Sequence, residues 1–168
     1  MAKFQMKERI PTSAKTARLA EGTDAANATP ATLVANNHSD AEVGKIVKVL
    51  GESRYGLAAA GNQIEGFVSS VESATADGFT IGSVIGTVGN YKEVTFDGLQ
   101  ATPGTGTIAI GDRVVTGTVV AKGTALTVPV RVTKATAQTG MDFVWQVVSL
   151  GSAGTGAVST TGVIERIS

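Results

Sequence analysis

From Val43 to the C-terminus, turn residues cut the chain into short strand-like runs, and that punctuation limits its folds more than any single motif does. The runs are 45–50 (KIVKVL), 64–71 (IEGFVSSV), 79–88 (FTIGSVIGTV), 91–96 (YKEVTF), 113–120 (RVVTGTVV), 126–133 (LTVPVRVT), 143–150 (FVWQVVSL) and 162–167 (GVIERI). All are rich in β-branched or aromatic residues, which suit a pleated, half-buried surface. Between them stand Asp77-Gly78, Gly89-Asn90 and Asp97-Gly98, which supply the positive φ angles of tight hairpins. About eight short strands at this spacing predict a mainly β fold, a small barrel or sandwich. Composition agrees: the chain holds 22 Thr and 21 Val, and glycine fills 21 of 168 positions against a usual share of about 7%. A chain of this length buries roughly 70% of its unfolded surface and supports one main core. It contains no cysteine, so no disulfide framework is expected.

The first quarter differs. Residues 12–42 are rich in Ala, Thr, Asn and Asp, with Leu19, Leu33 and Val34 as their only larger apolar residues. Such a segment buries too little apolar surface to offset its ordering entropy. Residues 1–42 are therefore expected to form an extended arm that orders on a partner, and residues 43–168 the β domain. The charge is uneven in the same region. Residues 1–18 carry Lys3, Lys7, Arg9, Lys15 and Arg18 against Glu8, while residues 19–42 carry only acidic groups, yet the formal net charge of the whole chain is zero. Neither nucleic acid nor an acidic membrane is expected as a partner. No apolar h-region follows the basic start, and no run approaches transmembrane length. Asn27-Ala28-Thr29 and Asn37-His38-Ser39 match the glycosylation sequon and are taken as chance matches.

Candidate chemistry is sparse. The stretch Gly151-Ser152-Ala153-Gly154-Thr155-Gly156 has no Lys-Ser or Lys-Thr after it, and Gly104-Thr105-Gly106-Thr107-Ile108-Ala109 runs into turn and strand residues. Neither opens a helix, so both are expected to be turns and not phosphate cradles. His38 is the only histidine and has no second His or Cys to complete a metal site. Its neighbours Ser39 and Asp40 complete the letters of a triad, but adjacent residues of a flexible chain do not hold triad geometry; an exposed polar loop is expected. Asp97 and Asp112 are expected to cap their own turns. No enzymatic activity, cofactor or metal is expected. On strand 143–150, Phe143, Trp145 and Val147 share one face by period two. Val144, Gln146 and Val148 share the other and are candidates for contact with a neighbouring subunit. An echo links "EVGKIVKVLG" at 42–51 with "AIGDRVVTGT" at 109–118, and it is taken as two similar strand entries, too few for a repeat architecture.

The run Trp145-Gln146-Val147-Val148-Ser149-Leu150-Gly151, then Gly154-Thr155-Gly156-Ala157-Val158, and the ending Val163-Ile164-Glu165-Arg166-Ile167 resemble the C-terminal end of the head decoration, or capsid cement, proteins of tailed bacteriophages. "GKIVKV", "YGLAAAGNQIEGFVSSVE" at 55–72 and "IGDRVV" extend the likeness over roughly residues 43–168. It implies a non-enzymatic virion protein on the outer surface of an icosahedral head. Its partner would be the major capsid protein, and it would form a homo-oligomer, with a trimer favoured over a dimer. The arm would then dock through Phe4, Met6, Ile10 and Leu19, with Lys3, Lys7 and Arg9 steering the encounter. Two readings compete: a tail or baseplate structural protein, and a virion-surface module that binds a glycan or receptor.

Overall fold

The computed structural model describes residues 14–22, 36–51, 54–72 and 79–168. They form a first sheet of β1 (Lys15–Leu19), β2 (Ile46–Gly51), β3 (Arg54–Leu57), β4 (Gly66–Glu72) and β5 (Ile81–Ile85), with a 3-10 turn at Asp40–Glu42. These strands close into a barrel in the order β1-β3-β2-β4-β5. The second sheet comprises β6 (Tyr91–Leu99), β7 (Thr102–Pro103), β8 (Arg113–Thr116), β9 (Arg131–Lys134), β10 (Trp145–Ser149) and β11 (Thr161–Arg166). Its order is β11-β10-β8-β9-β6-β7, and β11 also pairs with β6. Five strands of the second sheet therefore return on themselves, and β7 hangs from β6. The fold is mainly β, as the turn pattern predicts.

The two rings repeat one another pair by pair. Each has one parallel junction, β1 with β3 and β6 with β9, and its other four junctions are antiparallel. Lys15 faces Val84 as Lys92 faces Ile164. Val47 faces Leu57 as Val114 faces Lys134, and Ile46 faces Phe67 as Arg113 faces Gln146. A β-bulge falls between Val68 and Ser70 in one ring and between Val147 and Ser149 in the other. The turn entering β2 is fixed by Gly44 N–H donating to Val68 O at 2.7 Å, and the turn entering β8 by Gly111 N–H donating to Val147 O at 2.9 Å. Both glycines have positive φ, 86° and 92°, where a side chain would be strained. The echo between 42–51 and 109–118 thus marks equivalent strands of a repeated ring, a correction to its reading as two similar strand entries too few for a repeat.

The cores follow the same correspondence. Leu19, Val47, Val68 and Val84 fill the first ring, and their counterparts Phe96, Val114, Val147 and Ile164 fill the second. Because successive side chains of a strand point to opposite faces, Ile46 and Phe67 leave the first ring's interior and join the second ring's core. The Trp145 indole meets Phe67 edge to face, with centroids 5.0 Å apart, and its Nε1–H donates to Ile64 O at 2.9 Å. Arg166 crosses the same seam, donating to Glu65 O at 3.0 Å and to Gly86 O. The rings are joined by shared core as well as by chain.

Three expectations about elements change. Residues 15–19, assigned to the arm, are a barrel strand with neighbours on both sides, because Ala17 and Leu19 alternate into a core that lacks this wall without them. β3 falls outside the expected runs, since Arg54 and Gly56 break its apolar pattern. The runs 113–120 and 126–133 yield only 113–116 and 131–134 as strand; Gly117 and Pro129 interrupt them, and residues 117–130 form a loop.

Candidate interaction surface

The correspondence of the rings shows where they differ most. In the first ring, the second and third strands are joined by residues 52 and 53 alone; the equivalent connection in the second ring is the loop 117–130. A loop of that length without secondary structure is uncommon in a compact fold and usually functional.

Buried polar groups hold this loop at each end and in the middle. At its start, Thr118 donates from N–H (2.9 Å) and Oγ1 (2.5 Å) to Asp97 Oδ2, while Arg131 Nη1 donates to Asp97 Oδ1 at 3.2 Å. At its end, Thr95 Oγ1 donates to Pro129 O at 2.8 Å. In the middle, Lys45 Nζ donates to Ala121 O at 2.8 Å, and Gly123 N–H donates to Glu42 Oε1 at 2.5 Å. Glu42 is fully buried and also accepts from Ser39 N–H at 2.6 Å and Ser39 Oγ at 2.9 Å, with Lys45 Nζ at 3.4 Å. Burial raises the pKa of its carboxyl, but the bonds from Gly123 and Ser39 and the Lys45 charge outweigh burial and bring it down to about 2. A buried ion pair with its remaining lone pairs satisfied is costly to break from one side. Glu42 and Lys45 therefore tie the loop of the second ring to the entrance of the first.

Beneath the loop, Val120 and Leu126 approach Ile46, Leu57 and Ala58 around a cavity of only about 20 Å³, near the room needed for one water molecule. On the loop itself, Val119, which also lines that cavity, and Val128 are 49% and 46% exposed, and Val43 of the tethered turn is 40% exposed. A groove of about 250 Å³ runs beside Val128, bordered also by Gly44, Lys92, Glu93, Leu126 and Pro129. Apolar side chains displayed on a rigid loop are suited to contact a partner. Strand edges are not. Each of the ten ring strands has neighbours on both sides, which leaves no long free edge among the described residues for another chain to extend.

The structure separates the interface residues expected from sequence. Lys3, Phe4, Met6, Lys7, Arg9 and Ile10 lie outside the described residues. Leu19 does not serve as a docking residue, because it is fully buried inside the first ring. Val144, Gln146 and Val148 do not form an apolar subunit face. Val144 is buried and paired through its backbone with Ile167 and Ser168, Gln146 Nε2 donates to Gly111 O at 2.7 Å, and the bulge at Val148 interrupts the period-two pattern.

The acid and histidine readings change as well. His38 is buried and not exposed: its Nε2 lies 3.0 Å from Glu21 Oε1, an oxygen that also accepts Leu57 N–H at 2.7 Å. Burial raises the Glu21 pKa, and the bonds from His38 and Leu57 more than offset it, leaving the carboxyl below its ordinary range. Ser39 Oγ points its hydrogen bond at Glu42, so the adjacent Ser, His and Asp do not assemble a nucleophile and base. Asp97 is a buried strand residue that binds the loop and not its own turn, whereas Asp112 does cap a turn, accepting Ala109 N–H at 2.8 Å. Among the described residues, no group of three or more His, Cys, Asp or Glu could hold a metal ion, and no helix is long and apolar enough to cross a membrane. No family model, curated protein or solved structure matches the chain.

Proposed function

We propose that this chain is a structural protein of a tailed-phage virion that binds the outside of the head and cements adjacent subunits of the major capsid protein. One observation carries the reading beyond the resemblance of residues 43–168. On a scaffold of two repeated β rings, the second ring's β8–β9 loop is enlarged, locked by the Glu42–Lys45 pair and Asp97, and displays Val119 and Val128. A cement needs a stiff body that carries load and a contact surface that does not rearrange under it. The body also anchors the N-terminal residues: β1 pairs with β5 from Lys15 to Arg18 and with β3 at Arg18 and Leu19, so tension on residues 1–13 would load that strand in shear. Attachment would use loop 117–130 together with Phe4, Met6 and Ile10, and many copies acting together would stiffen the shell through avidity.

Cosedimentation of purified protein with expanded heads that lack it tests the reading. The intact chain should pellet with the heads. The double variant Val119→Asp with Val128→Asp should stay in solution with an unchanged melting temperature. Equal binding by both proteins would remove the loop from the contact, and absence of binding by the intact chain would remove the cement reading.

A further inference from the structure

A second surface, away from the loop, has a different chemistry. Where the two rings meet, Lys48, Asn62, Gln63, Glu65, Asp142 and Phe143 line an open groove of about 230 Å³. Its floor is pinned. Asn62 N–H donates to Ala59 O at 3.1 Å, Asn62 O accepts from Thr116 N–H at 2.9 Å, and Trp145 Nε1 holds Ile64 O.

The two amide side chains are oriented by the same backbone. Asn62 Oδ1 accepts Ala59 N–H at 3.0 Å. Gln63 Oε1 accepts both Asp142 N–H at 3.0 Å and Phe143 N–H at 3.1 Å. With each oxygen fixed, each amide nitrogen is fixed too, and among the described residues neither has a hydrogen-bond partner. An amide NH₂ carries two donors, so the groove holds a preset donor array. The Asp142 carboxylate adds acceptors, Lys48 adds a further donor, and Glu65 spends Oε2 on Val49 N–H at 2.9 Å. Phe143 adds an aromatic side chain to the lining, with the Arg166 guanidinium 4.8 Å from its ring centroid.

We propose that this groove is a subsite for one neutral pyranose unit of a glycan. A pyranose presents a patch of C–H groups that packs on an aromatic ring and a rim of hydroxyls that both donate and accept. Fixed amide donors beside a carboxylate match such a rim, and the few convergent polar groups in a concave site are the usual arrangement for a small ligand. Lys48 faces two carboxylates, Glu65 and Asp142, so the groove is net negative, which favours a neutral sugar over an acidic one. The volume suits one ring, so affinity for a single unit is weak, with Kd on the order of 1 mM. The assignment does not rest on the capsid reading.

The test is a nuclear magnetic resonance titration of the full chain with glucose, galactose, rhamnose and N-acetylglucosamine oligosaccharides, with N-acetylneuraminic acid as the acidic comparison. Saturable shifts are expected at the side-chain amides of Asn62 and Gln63 and the backbone amides of Asp142 and Phe143. Asn62→Asp and Gln63→Glu keep the oxygens that order the backbone and replace only the donors; each should bind at least about tenfold more weakly. Their melting temperatures should match the parent. Phe143→Leu provides an independent variant with the same expected loss. The proposal is overturned if no neutral sugar shifts these groups, if the shifts map elsewhere, if all three variants bind as the parent does, or if the acidic sugar binds best.

Discussion

Gly82 and Gly162 occupy the same place in two different rings. A Cβ on Gly82 would collide with Leu19 and the Ser70 carbonyl, and one on Gly162 with Phe96 and the Ser149 carbonyl; Leu19 corresponds to Phe96 and Ser70 to Ser149 in the repeated register. Each glycine leaves room for a large inward side chain of the strand paired with it, Leu19 of β1 or Phe96 of β6. Gly82→Ala and Gly162→Ala should therefore each destabilise the protein by about 1–3 kcal/mol or more, the range for overpacked sites. Urea unfolding of the two variants would check it, and a large cost at one site with none at the other would break the equivalence.

The place of β1 predicts how far the N-terminus can be cut back. Removal of residues 1–13 should leave the β signature in circular dichroism and the cooperative melt intact. Removal of residues 1–21 takes away a barrel wall and should abolish cooperative folding of the first ring. Leu19→Ala, which empties a fully buried position, should cost roughly 2–5 kcal/mol. An unchanged melt after removal of residues 1–21 would show that the first ring closes without β1.

What the sequence made legible was strand and turn; what it hid was tertiary. β10 and β11 follow from their β-branched runs, and the turn pair Gly89-Asn90 does separate β5 from β6, with Gly89 at φ 83°. β1 was invisible because only Leu19 among its five residues is large and apolar, and a strand shared between two neighbours needs no more. His38 reads as an exposed loop residue and Asp97 as a cap of its own turn because their partners, Glu21 and Thr118, lie 17 and 21 positions away in the chain. Residues 117–120 and 126–130 of the loop read as strand from their Val and Thr content; their true state is set by Asp97, Glu42 and Lys45, which no local pattern reveals. The duplication left one audible trace, the Gly-charged-x-Val entry of β2 and β8, since inward positions tolerate Leu19 against Phe96 or Val84 against Ile164 as long as they stay apolar.

The seam should make the two rings unfold together. The chain has one tryptophan, and Trp145 lies in the core they share, so its fluorescence and the far-ultraviolet dichroism should follow one common transition. Phe67→Ala should lower that transition by roughly 3–5 kcal/mol for both signals alike. Two separated transitions would mean that the rings are independent folding units.

Acid should weaken the protein through Glu42. Its folded pKa of about 2 lies below the ordinary 4.5, so the unfolded state takes up the proton first as pH falls. The stabilisation is fully present above about pH 4.5, declines between 4.5 and 2, and is gone below; it amounts to at most roughly 3 kcal/mol. The lowered pKa of Glu21 acts in the same direction. Glu42→Gln should be less stable than the parent at pH 7 yet lose less stability between pH 5 and pH 3, measured by denaturant midpoints. An equal pH slope in parent and variant would remove Glu42 from this role.

The most direct measurement compares heads assembled without the protein with the same heads after it is added back, heating both and recording the temperature at which the shells rupture. The cement account predicts a higher rupture temperature for decorated heads, and loss of that gain when the added protein carries Val119→Asp and Val128→Asp. Rupture at the same temperature with and without bound protein would contradict it.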